Sequence, residues 1–142
     1  MAIIQTLTTS FKVEVAQALH NFTTGTGNVF KLALYTANAD LGASTTAYTT
    51  AGESSGTNYT AGGIVLTNIT PAFQGTTSYW SFETATFTNV SLTTNGALIY
   101  NSTNGNRSVA VLNFGVNITK TAQNLVVTFP ANDATNAVLR IA

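Results

Sequence analysis

No cysteine occurs among the 142 residues, which excludes disulfides and thiolate metal sites and leaves the redox compartment open. Charge is nearly as scarce. Five Lys and Arg balance five Asp and Glu, together 7% of the chain against roughly 25% in an ordinary soluble domain, and they are scattered singly. Without a basic cluster there is nothing to hold a nucleic-acid backbone or an anionic membrane surface, so neither is expected as a partner. No run approaches the roughly 18–20 apolar residues of a membrane-spanning helix. The opening MAIIQTLTTSFKVEVAQALHNF does not read as a secretory signal, because it lacks a positive start and Lys12 and Glu14 interrupt its apolar stretch.

Where charges are missing, 27 Thr and 15 Asn take their place. A monomer ordinarily stays soluble through net and mixed surface charge. A neutral Thr/Asn surface is easier to understand if an assembly covers much of it. Seven Asn-x-Ser/Thr sequons occur, but with 27 Thr and 9 Ser about four of the 15 Asn would head one by chance, so they read as compositional.

The length suits a single domain over residues 1–142, large enough to bury a core. Residues 1–24 read as an N-terminal arm and helix, and 28–142 as a β-sandwich. The helix is expected over Thr8 to Phe22, capped by Thr9 or Ser10 and ended by Asn21 and Gly25. Its apolar stripe is Phe11, Val15, Ala18, Leu19 and Phe22, packed on the domain's own sheet or docked on a neighbour. From residue 29 the period changes from 3.6 to 2. Phe30, Leu32 and Leu34 alternate with Lys31, Ala33 and Tyr35, as in a half-buried strand over 29–36.

A long irregular stretch from Ala37 to Gly63 follows, the kind of loop that is functional or mobile. Further strands are expected at 63–70, 78–87, 89–94, 96–101, 108–114, 125–130 and 137–142, separated by Asn, Gly, Ser or Pro. STNGNR joins two of them, with Asn104-Gly105 suited to positive φ, and Asn95-Gly96 marks a bulge. Seven or eight short strands with one helix give a mainly β fold, an antiparallel β-sandwich resembling a jelly roll.

Chemistry is hard to find. GESSG at 52–56 matches a nucleophile elbow in letters, but no helix-forming sequence follows, so a catalytic Ser54 is not expected. His20, the only histidine, suits the C-terminal end of the helix as a cap or surface residue. The five carboxylates are far apart in sequence, Asn38-Ala39-Asp40 lacks the rest of a calcium loop, and no phosphate cradle precedes a helix. No cofactor, metal site or enzymatic activity is expected. Tyr48, Tyr59, Tyr79, Trp80 and Tyr100 could form a sugar-stacking platform. Alternation instead puts Trp80 and Phe82 on one strand face, which favours the core. The candidates for protein contact are Phe11, Val15 and Leu19 on the helix, Asp40, Glu53 and Tyr59 in the long loop, and Arg107 at the hairpin.

The segments MAIIQTLTTSFKVEVAQALHNF, FKLALYTANADLGASTTAYTT, NYTAGG, GALIYNSTNGNRSVAVLNFG and DATNAVLRIA, in that order over nearly the whole chain, resemble a family of small virion proteins of tailed bacteriophages, including cyanophages and other marine phages. The resemblance implies a non-enzymatic component of the phage particle, assembled in the host cytoplasm. It would contact the major capsid protein or other virion proteins and form a homo-oligomer. A capsid decoration (cement) protein fits best. A neck, tail or fibre-adaptor component is the alternative, and a carbohydrate-binding module of a host-adsorption protein comes after it. The family commonly carries LDFG where this chain has Leu112-Asn113-Phe114-Gly115, and more acid in the loop after it. The missing charges put any calcium-linked or ion-paired contact there in doubt.

Overall fold

The computed structural model describes residues 2–142; Met1, the first residue of the expected arm, lies outside them. The protein is mainly β, with two antiparallel sheets and one short helix, as the sequence predicts. The larger sheet has the order β1-β7-β6-β2-β3, built from Thr6–Leu7, Arg107–Val127, Ala85–Asn101, Phe30–Tyr35 and Ile64–Val65. The smaller is β4-β5-β8, from Ala72–Gln74, Thr77–Trp80 and Leu139–Ile141. Helix α1 spans Thr9–Ala16.

β2 forms where the period-2 pattern begins and pairs with β6 from Phe30↔Asn101 to Tyr35↔Gly96. It is not half-buried as expected. Phe30, Leu32 and Leu34 enter the core between the two sheets, and Ala33 and Tyr35 on the opposite face are also fully buried. The cover on that second face comes from Ile3 of the arm and from Ala39, Leu41 and Tyr48 of the long loop. Loop 37–63 is therefore a packed third layer. It hydrogen-bonds along β2 through Thr36 N–H to the Gly52 carbonyl and Ser54 N–H to the Leu34 carbonyl, both 2.9 Å. Its last residue, Gly63, has φ +79, and a Cβ there would fall on the Leu32 carbonyl, so only glycine lets the chain pass so close.

The central core is aromatic. Phe22 stacks on Phe30 with centroids 4.3 Å apart, and Trp80 and Phe82 pack against Phe22. Burying each such ring contributes roughly 1.5–3 kcal/mol. Trp80 and Phe82 are core residues, as their alternation suggests, but they do not share one strand. The expected strand over 78–87 is broken at residues 81–84, where the chain leaves the small sheet for the large one.

The helix is eight residues, shorter than expected. Ala18 N–H bonds the Val15 carbonyl (3.1 Å), Leu19 N–H bonds the Glu14 carbonyl (3.0 Å), and Ala18 sits at φ +59. This is a Schellman stop with alanine where glycine is usual, so the sequence gives no warning of it. Ala18, Leu19 and Phe22 are consequently off the helix. At the other end Thr8 holds the capping position without a side-chain cap, its hydroxyl being engaged by Ser108.

Four expected strands merge into two. Residues 89–94 and 96–101 belong to the 17-residue β6, and 108–114 and 125–130 largely to the 21-residue β7. The breaker residues between them act as bulges, with register shifts that include one at Thr94/Gly96, where the Asn95-Gly96 pair predicts it. In the β6–β7 turn, positive φ falls on Gly105 and Asn106, one position later than expected.

Candidate functional site

Three features could carry function: a tyrosine cluster under the long loop, a buried ionic group at the helix end, and an apolar groove beside the small sheet.

In the first, Glu53 is brought against β2 by its bridge to Tyr35. Its Oε2 accepts from Tyr48 Oη at 2.7 Å, and its Oε1 accepts from Tyr59 Oη at 2.8 Å and Gly62 N–H at 2.7 Å. Tyr59 Oη also accepts from Leu34 N–H (2.9 Å), and Tyr100 Oη donates to the Gly62 carbonyl (2.6 Å). Tyr35 Oη donates to the Thr49 carbonyl at 2.6 Å. Burial, reinforced by the Glu53 carboxylate, pushes the Tyr35, Tyr48 and Tyr59 hydroxyls well above the ordinary 10, and Tyr100 up to about 12. These phenols stay protonated and act as donors; the cluster is a latch for the loop. It also scatters the expected sugar platform. Tyr48, Tyr59 and Tyr100 converge on the loop, Trp80 is buried elsewhere, and Tyr79 lies on the other face of β5. Ser54 is buried and donates to the Thr93 carbonyl at 2.9 Å, and Asp40 is exposed.

In the second, the His20 side chain is fully buried, contrary to the surface role expected of it. Once the helix has ended, His20 folds back onto Phe11 with ring centroids 5.0 Å apart. Its Nε2 meets Glu14 Oε1 at 3.0 Å, and its Nδ1 lies 3.1 Å from Asn101 Nδ2. An amide nitrogen only donates, so Nδ1 is the acceptor and Nε2 carries the proton. Both ring nitrogens are thus committed, and Ser54 and His20 are not brought together. Arg107 Nη1 donates to Glu14 Oε2 at 2.7 Å, so this expected contact residue ties the β6–β7 turn to α1 within the chain.

Burial works to raise the Glu14 pKa. The hydrogen bonds from His20 and Arg107, with the Arg107 charge, outweigh it and hold the carboxyl below its ordinary 4.5. A carboxylate lowered on folding stabilises the native state fully above its unfolded pKa and loses that contribution as pH falls through the folded one. Glu14→Gln is therefore expected to flatten the loss of stability below about pH 4.5. Urea midpoints between neutral and strongly acidic pH test this, and a variant with an unchanged acid limb would count against it. Asp133, lowered mainly by hydrogen bonds from Asn136 and Thr135, keeps its own share of the acid response in both proteins.

Asn101 is fully buried and joins these elements, a role its sequence position does not announce. Its Nδ2 also donates to Asn28 Oδ1 (2.9 Å), and its Oδ1 accepts from the N–H groups of Thr103 (3.1 Å) and Asn104 (3.2 Å). Leu19 contributes a carbonyl, which takes Asn104 Nδ2, rather than an apolar contact face.

In the third, α1 lies beside the small sheet and leaves a groove of about 290 Å3 lined by Leu7, Phe11, Val15, Trp80, Leu139 and Ile141, with Lys12 and Arg140 at its edge. Phe11 and Val15, two of the expected contact residues, meet here. Trp80 Nε1 is buried and has no hydrogen-bond partner among the described residues. A second hollow of about 440 Å3 shares Val15, Trp80 and Ile141 and continues toward Pro71 and Ser78. Among the described residues no three His, Asp or Glu side chains gather as a metal site, and no helix is long and apolar enough to cross a membrane.

Comparison with protein-family models, with curated proteins and with solved structures found no significant match to this chain.

Proposed function

We propose that the protein is a non-enzymatic structural subunit of a bacteriophage particle, seated on the head shell as a decoration protein. The observation that carries this reading is the outer edge of β7. β1 pairs with it only at Ala110 and Val111, and no described strand pairs with it from there to Val127. Val116 and Val126 are exposed along it, 63% and 55%. Lys120 and the positive-φ bulges at Gly115 and Ala122 discourage indiscriminate strand pairing, as edges in native proteins do. A long edge on a surface with so few charges suits a subunit that is covered by neighbours, and the resemblance to small virion proteins points the same way.

The mechanism is linkage. A protein that binds the assembled shell but not the disrupted one stabilises the shell by mass action, in proportion to the logarithm of its free concentration over Kd. Its partners would be the major capsid protein and further copies of itself. The polar Thr/Asn surface would contribute many modest hydrogen bonds, often through water. A neck, tail or fibre adaptor would use the same features at a ring with fewer copies.

Copy number in purified particles tests the reading. Quantitative mass spectrometry is expected to give a ratio to the major capsid protein within a few-fold of one. A ratio of a few per cent would move the protein to the neck, tail or fibres. Absence from particles would overturn the structural role.

A further inference from the structure

We propose that two copies of this chain pair about a two-fold axis, each seating Phe73 in the other's groove between α1 and the small sheet. The pairing gives the assembly reading its self-contact and rests on that reading for its biological use alone.

The argument begins with the register of the small sheet. Phe73 pairs with Ser78, Ser78 with Ile141, and Trp80 with Leu139. Directly paired residues, and residues two apart on a strand, project from the same face. Phe73, Ser78, Trp80, Leu139 and Ile141 therefore form one stripe. α1 and Phe22 cover half of it, where Trp80 and Leu139 are 5% and 0% exposed. The other half is uncovered, with Ile141 at 53% and Phe73 at 78%, the most exposed of the large hydrophobic side chains among the described residues.

Phe73 is held out by a tight hairpin. β4 and β5 close at Gln74↔Thr77 around Gly75 and Thr76, and Gly75 has φ +61, as the first central residue of a type II′ turn requires. All three residues of β4 are exposed. An exposed ring on a short rigid hairpin is a ready projection. The groove of about 290 Å3, with its continuation past Ser78 and Ile141, is an apolar recess of a size that takes a benzyl group.

Projection and recess lie on the same face, and this decides the symmetry. Two such faces brought together place each ring over the other's recess, so the contact is isologous and closes at two copies. A head-to-tail chain would need them on different faces. Charge agrees: residues 70–78 carry none, so the entering hairpin brings no ion into an apolar site, and Lys12 and Arg140 stay at the wet rim.

Area sets the strength. One aromatic side chain covers about 150–250 Å2, so each copy buries a few hundred Å2, short of the roughly 800 Å2 per partner of a standard interface. The dimer is consequently weak, with Kd on the order of 100 µM, and gains through multivalency where copies are held side by side.

Sedimentation velocity on the purified protein from about 5 to about 500 µM tests this, read together with the emission of Trp80, the only tryptophan. A reversible monomer–dimer equilibrium is expected, with a concentration-dependent change in Trp80 emission. Phe73→Ser should weaken it at least about tenfold at unchanged Tm, since the side chain is exposed. Ile141→Lys, on the same uncovered stripe, should do likewise and serves if the first variant folds poorly. A monomer at every concentration would overturn the pairing. So would a dimer indifferent to both substitutions, which would point to the β7 edge, or Phe73-dependent growth beyond two copies. Neither result touches copy number in the particle, so a monomer found on shells leaves the decoration reading standing, and a dimer absent from particles leaves the pairing standing.

Discussion

Glu53→Ala is expected to lower stability by about 3 kcal/mol, from about 1.5 kcal/mol for each hydrogen bond to the charged carboxylate with some return through solvent exposure. The Tm should fall by about 10 °C, at about 3–4 °C per kcal/mol for a domain of this size. The substitution leaves the Tyr48 and Tyr59 hydroxyls and the Gly62 N–H without their acceptor. Those anchors lie on both sides of Glu53, from Tyr48 to Gly62, so its effect should spread along residues 48–63. Hydrogen exchange should accelerate at Ser54, whose N–H bonds the Leu34 carbonyl, and at Leu34, whose N–H bonds Tyr59 Oη. The strand ladder between β6 and β7 should keep its protection. A Tm within a degree or two of the parent would show that the latch contributes nothing and that apolar packing alone holds the third layer.

Asn101→Leu is expected to cost as much or more, about 3–4 kcal/mol, although the two side chains are similar in volume. Four groups lose a partner at once: the N–H groups of Thr103 and Asn104, His20 Nδ1, and Asn28 Oδ1. The site is fully buried, so water does not replace them without opening the turn. Equilibrium urea unfolding measures the loss, and Ser102→Ala, which removes a single exposed hydrogen bond to the Val29 carbonyl, provides a mild comparison. If Asn101→Leu were no worse than Ser102→Ala, the network around Asn101 would not be a determinant of stability.

The two variants bear on function differently. Glu53→Ala disturbs a layer on the face of β2 away from the small sheet, and Asn101→Leu disturbs the junction of α1 with the β6–β7 turn. Neither touches the Phe73 stripe directly. Both proteins should therefore retain self-association through Phe73 while folded, which separates loss of stability from loss of contact.

Several parts of the molecule were legible in the chain itself. Alternation from Phe30 to Tyr35 placed β2, since the strand period is a property of the backbone and survives any neighbour. Asn95-Gly96 and Asn104-Gly105 located a bulge and a turn because those residues accept conformations that others resist. Among the contact candidates, Phe11 and Val15 reached the groove, Glu53 and Tyr59 bond each other within the loop latch, Arg107 bonds Glu14, Leu19 offers its carbonyl to Asn104, and Asp40 stayed at the surface.

The rest was decided by tertiary structure. Local signals overstated the helix because an alanine occupies the left-handed stop, a conformation that it adopts only when the following residues gain by it. Here Leu19 and His20 gain through Asn104, Glu14 and Phe11. Residues 115–124 of β7 read as a loop because they are polar and largely exposed, and only the partner strand supplies the ladder that makes them one element. Loop 37–63 read as functional or mobile because much of its order comes from contacts distant in sequence: Ser54 with Leu34 and Thr93, Gly62 with Tyr100, and Leu41 with Ile3. Composition and period are properties of neighbours along the chain, and they fixed the class of fold. Which polar side chains are buried, and which apolar ones are left uncovered, depends on residues tens of positions apart, and only the folded chain brings those together.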